Sequence, residues 1–97
     1  MNHAFIIGNL TKDPEQRTTQ NGISVCTFTV AVSRSYGKDE ADFIPVVAWR
    51  GLAESCGKNL HKGNRVAVCG SIQTRSYDAQ DGKRYVTEIL ADEVKFL

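Results

Sequence analysis

The sequence predicts an all-β domain, a five-stranded barrel with one short α-helix between strands 3 and 4. Three observations carry that expectation. SVCTFTVAVSR, positions 24 to 34, alternates between a face of Cys26, Phe28, Val30 and Val32 and a face of Thr27, Thr29, Ala31 and Ser33. Only GLAESCGKNLHKG, 51 to 63, changes period, with Leu52, Cys56 and Leu60 recurring every four residues. Asn21-Gly22 and Asp81-Gly82 are turn dipeptides standing between apolar runs. With 97 residues, 41% apolar and 24% charged, the chain has the composition of a soluble globular protein and length for one core, so residues 1–97 are read as a single domain.

HAFIIGNL, 3 to 10, forms the first strand, and Thr-Lys-Asp-Pro, ending at Pro14, supplies the turn after it. The second strand is the alternating run, with Cys26, Phe28, Val30 and Val32 on its core face. YGKDEA, 36 to 41, is polar and contains glycine, so it is expected as a loop leading into the third strand, DFIPVVAWR, 42 to 50. The helix follows, with Gly63 at the place of a C-terminal cap. NRVAVCGSIQTRSY, 64 to 77, alternates again, DAQDG turns the chain, and a last strand runs from about Lys83. Three long strands, a helix and two more strands suit a Greek-key barrel of the OB-fold type, whose strand 2–3 face and neighbouring loops bind oligomers.

In the third strand Ile44, Val46 and Ala48 share one face, while Phe43, Pro45, Val47 and Trp49 share the other. A barrel has one interior, and the aliphatic face fills it, so Phe43 and Trp49 are free to face outward. They lie about 20 Å apart along the strand, two platforms rather than one cluster. Tyr36 in the preceding loop and Tyr77 at the start of the last hairpin loop would line the same groove. Arg17, Arg34, Arg50, Lys62 and Arg75 are the cations expected near these rings, with Lys12 and Lys83 behind them. Flat rings beside cations are what a sequence-indifferent binder of single strands needs, since such a strand offers base faces and phosphates.

Other chemistries are poorly represented. Twelve Lys and Arg against eleven Asp and Glu give a formal charge of +1, so a polyanion must be held by a local patch. Cys26, Cys56 and Cys69 form no Cys-x-x-Cys pair and read as reduced, buried thiols. Cys56 and His61 face about 140° apart on a helix, wrong for a nucleophile and its base. His3 and His61 lack metal-ligand spacing, and no phosphate-binding glycine signature is present. No catalytic residue, cofactor or metal is expected. No apolar stretch approaches a membrane span or a signal-peptide core, which makes a cytoplasmic location the expectation.

GNLTKDPE, Asn21-Gly22, VVAWRGLAE, Lys62-Gly63 and GSIQTRSY occur in an order and spacing that resemble the bacterial single-stranded DNA-binding proteins of replication, over essentially the whole chain. The resemblance implies an OB-fold, usually a homotetramer, that coats single-stranded DNA in the nucleoid during replication, recombination and repair, without catalysis. It implies base stacking at Tyr36, Phe43, Trp49 and Tyr77 and a DNA path along Arg17, Lys62 and Arg75. Arg34 and Arg50 are added from proximity in sequence. Two of the stacking positions are Tyr where better-known members carry Trp, so weaker binding per site is expected. Pro45 stands mid-strand where a hydrogen-bond donor is usual. Members also continue into a Gly-, Pro- and Gln-rich linker with an acidic, partner-recruiting tip. This chain stops at Leu97, either as the DNA-binding domain of a longer protein or as a short relative, so docking of partners through a tail has no support in it.

A protein-interaction OB module, such as a primosomal accessory subunit, is the alternative, with the exposed aromatics meeting a protein. A nuclease on the same barrel is the third reading and lacks a carboxylate cluster.

Overall fold

The computed structural model describes residues 1–36 and 39–97. Gly37 and Lys38, within the expected loop at 36–41, lie outside the described residues. Six strands and one helix follow in the order β1 (Ala4–Leu10), β2 (Glu15–Thr18), β3 (Ser24–Ser33), β4 (Ala41–Trp49), α1 (Arg50–Asn59), β5 (Arg65–Ala79) and β6 (Gly82–Phe96). The second to fifth strands expected from sequence are therefore β3, β4, β5 and β6. β2 is the added element.

Pairing closes the sheet. β1 joins β5, β5 joins β6, β6 joins β4, β4 joins β3, and β3 returns to β1 through Asn9↔Ala31 and Leu10↔Val30. All of these pairs are antiparallel except β4 with β6, which meet in parallel at Val46↔Ile89 and Val47↔Leu90. This ring of five strands is the OB barrel. β2 lies outside the ring, paired to the first half of β3 from Glu15↔Thr27 to Thr18↔Ser24.

Two glycines let the ring close. A Cβ at Gly8 would sit 2.2 Å from the Ala31 carbonyl oxygen, where β1 swings from β5 across to β3. At Gly70 it would sit 2.0 Å from the Leu90 carbonyl oxygen, beside the register shift between Cys69 and Gly70 that bends β5.

The interior is the one the alternation marks. Cys26, Phe28 and Val30 from β3, Val46 and Ala48 from β4, Val66 and Val68 from β5 and Ile89 from β6 are all buried. α1 closes one end with Ala53 and Cys56, followed by Leu60, each buried. Removing Leu60 from water contributes about 1.5–3 kcal/mol. Burial pushes the Cys56 thiol up to about 11, with neighbouring Cys26 adding to the shift, and burial also raises Cys26.

The helix ends earlier than its periodicity suggested. Leu60 is already extended at φ −93, ψ 144. The residues after it form a turn in which the Asn64 Oδ1 accepts from the His61 N–H at 2.7 Å. Gly63, at φ 89, serves this turn rather than a helix cap, and its N–H donates to the Leu10 carbonyl at 2.9 Å.

Pro45 costs the sheet nothing. It stands opposite Thr29, whose carbonyl accepts from the Thr11 N–H at 3.0 Å on the far side of β3. The polar edges of this pair thus point away from one another. The Pro45 nitrogen faces β6, and pairing there begins only at Val46.

Candidate nucleic-acid interface

The outward side chains of β3 and β4 pair across the ladder as Val25 with Trp49, Thr27 with Val47, Thr29 with Pro45 and Ala31 with Phe43. Trp49 is 42% exposed and Phe43 66%, whereas Ile44, Val46 and Ala48 point inward to the core. The tryptophan indole rests at the helix-capped end, and the phenylalanine stands at the opposite, open end of the barrel.

Around Trp49 the barrel surface forms a groove of about 230 Å³. Its floor is Val25, Thr27, Val47 and Leu90, and its walls are Arg17 from β2, Gln73 and Arg75 from β5 and Glu88 from β6. A neighbouring depression of about 330 Å³ continues this surface past Arg17 and Arg75 to Lys12 and Asp13. Asp13 ties in the next element, since its Oδ1 accepts from the Lys62 N–H at 2.7 Å. Arg17 and Arg75 therefore border both depressions and Trp49 the first of them, while Lys62 is tied to the far end only through its backbone N–H.

Tyr77 lies within β5, paired with Arg84, rather than at the start of a loop, because the hairpin arm stays regular up to Ala79. Its ring is 48% exposed, and the Arg75 guanidinium carbon stands 5.8 Å from the ring centroid. Tyr36, 85% exposed, follows β3 and borders neither groove.

Phe43 borders a separate apolar cavity of about 330 Å³, with Ile44, Pro45, Ile72 and Ile89, where β4 and β6 splay before their pairing begins. Arg34 lies near it, but its guanidinium is engaged. Nη2 donates to Asp42 Oδ1 at 2.8 Å, Nε to the same carboxylate at 3.2 Å and Nη1 to Glu40 Oε2 at 3.4 Å. The hydrogen bond from Arg34 holds the Asp42 carboxyl below the usual carboxylate range, and the Arg34 pKa rises in turn. Arg50 follows Trp49 with φ 61, the single described non-glycine residue at positive φ, and this left-handed conformation turns β4 into α1.

Sequence reasoning named neither Gln73 nor Glu88 as a site residue, nor the floor of Val25, Thr27, Val47 and Leu90. The signal was there for Glu88. An Asp-Gly hairpin register puts Gln73 opposite Glu88 and so on the same face as Arg75. Tyr85, 78% exposed, was also passed over, and its pairing with Ser76 sets it on the other face of the hairpin from Tyr77.

The profile of the single-strand binding protein family matches residues 1–97. The chain belongs to that family. Among its relatives are the single-stranded DNA-binding proteins of Caldanaerobacter subterraneus subsp. tengcongensis, 53% identical, of Clostridium tetani, 55%, and of Bacillus cereus, 52%. Each match covers 100% of this chain and, in the same order, 68%, 70% and 60% of the relative. Family membership fits the fold, a barrel whose outer face carries the rings. Among the described residues no helix is long and apolar enough to cross a membrane.

Proposed function

We propose that the chain binds single-stranded DNA without regard to sequence, stacking bases on Trp49, Phe43, Tyr77 and Tyr36 and holding phosphates with Arg17, Lys62, Arg75 and Arg50, while Arg34 is held by Asp42 and Glu40. Its role is to coat and protect exposed strands in replication, recombination and repair, as a binding protein and not an enzyme, in the bacterial nucleoid. The observation that carries the reading is the outward Trp49 beside Arg17 and Arg75 on a barrel whose interior is already filled. A ring kept 42% exposed forgoes part of its burial energy unless a partner covers it.

The active species is a homo-oligomer, and a homotetramer is the assembly proposed. β1 pairs with β5 along Ala4–Asn9 but with β3 only at Asn9 and Leu10, so its other edge is open over the first residues. Phe5, 62% exposed, and Ile7, 39%, stand on the outer face of that strand. An open edge beside exposed apolar side chains is a surface for a second copy.

Replacing Trp49 and Phe43 together by Ala tests the DNA reading. Base stacking in proteins of this kind is commonly worth about 1–3 kcal/mol per base, so affinity for oligo-dT should fall more than tenfold while the circular dichroism and sedimentation are unchanged. Unaltered affinity would sink the proposal.

A further inference from the structure

A carboxylate sits in the middle of the surface proposed to take a polyanion. Glu88 borders both grooves and the apolar cavity beside Phe43. Its side chain is only 12% exposed, while that of Arg75 is 55% exposed. Arg75 Nε donates to Glu88 Oε1 at 2.9 Å, and among the described residues this is the one hydrogen bond either side chain makes. Simple electrostatics makes such a residue a defect, because a half-buried negative charge opposes each phosphate that approaches.

Geometry gives it another role. A guanidinium carries five N–H donors in a rigid planar fork, and the Nε–H lies on one edge. Glu88 takes that edge from below, and the Tyr77 ring stands beside the same group. The two terminal nitrogens make no hydrogen bond among the described residues, so they are left to the solvent side of the groove. Arg34 is the contrast, since all three of its nitrogens donate to Asp42 and Glu40. The register explains how Glu88 reaches its partner. Gln73 pairs with Glu88 and Arg75 with Val86, which makes Glu88 the diagonal neighbour of Arg75 on one face of the hairpin.

We infer that Glu88 is a positioning residue for DNA binding: it anchors Arg75 by its Nε edge and presents the terminal fork to a phosphate. The inference rests on the DNA-binding reading above. A free arginine loses rotamer freedom when it grips a ligand, and an anchored one has already lost it. The benefit outweighs the repulsion because Glu88 lies on the far side of the guanidinium from the phosphate, and the cation stands between the two anions.

The two ideas differ in sign. Glu88→Ala removes a negative charge from the site, yet it should weaken oligo-dT binding about threefold to tenfold, because Arg75 loses its anchor. Glu88→Gln keeps an acceptor for the Nε–H and should bind at least as tightly as the parent. In an Arg75→Ala background, Glu88→Ala should have no further effect, which separates positioning from a general disturbance of the fold. Tighter binding by Glu88→Ala with a steeper salt dependence would overturn the inference and make Glu88 a competitor of the phosphate. An equal loss in both backgrounds would overturn it in favour of a purely structural role. If the unaltered protein fails to bind oligo-dT, the DNA reading itself falls.

Discussion

Trp49 and Arg50 set the residue scale. The indole shares a strand face with Val47, whose side chain is buried in the groove floor, so Trp49 is anchored at its base and open at its top. Arg50 then takes a left-handed conformation that costs a non-glycine residue about 1 kcal/mol. Arg50→Gly should therefore raise the thermal unfolding midpoint while lowering DNA affinity through the lost cation. A lower midpoint would show that the Arg50 side chain offsets its own strain. At this scale the parity of DFIPVVAWR was legible, because the aliphatic residues claim the interior and leave Phe43 and Trp49 outside. Engagement was not legible. Nothing in the spacing of Arg34 shows that Asp42 and Glu40 occupy it, since that pairing depends on how β3 and β4 stand side by side.

Among the elements, those with an apolar period were readable, and β2 was not. Glu15, Gln16, Arg17 and Thr18 are all exposed, and their hydrogen bonds to β3 make them a strand without any hydrophobic signature. The helix end was misplaced for a related reason. Leu60 continues the four-residue period because it is buried, but the Asn64 turn takes the backbone out of the helix. α1 also imposes a pH dependence. Cys56, pushed up to about 11 from an ordinary value near 9.0, is a neutral group in the fold. Its stabilising contribution is complete below pH 9.0 and is lost as pH rises towards about 11, a difference of up to about 3 kcal/mol. Urea midpoints should fall across that alkaline window, and Cys56→Ala should flatten the slope there. An unchanged slope in the variant would assign the alkaline loss to other groups.

At the scale of the whole molecule, closure of the ring through β1–β3 and β4–β6 turns an alternating sequence into a body with one interior and one working face. The OB arrangement was legible from strand order and the late helix. The assembly proposed for it rests on the open edge of β1, which periodicity does not report. Phe5→Asp should yield a smaller species in analytical ultracentrifugation while retaining strand content, and an unchanged sedimentation coefficient would place the contact elsewhere. A formal charge of +1 means that attraction for DNA must come from a local patch and not from the protein as a whole, and Arg17, Arg75 and Lys62 are the cations proposed for it. With about four phosphates neutralised per protomer, log affinity should fall with log salt at a slope near −3.

Trp49 is the only tryptophan in the chain, so its fluorescence reports on the interface alone. Titrating the protein with an unstructured oligo-dT at low and high salt is the most direct measurement. Strong quenching that saturates, and that high salt partly reverses, is expected if a base covers the indole. Emission unchanged at every oligonucleotide concentration, with no binding by fluorescence anisotropy of labelled DNA, would contradict a DNA-binding face and leave Trp49 to a protein partner.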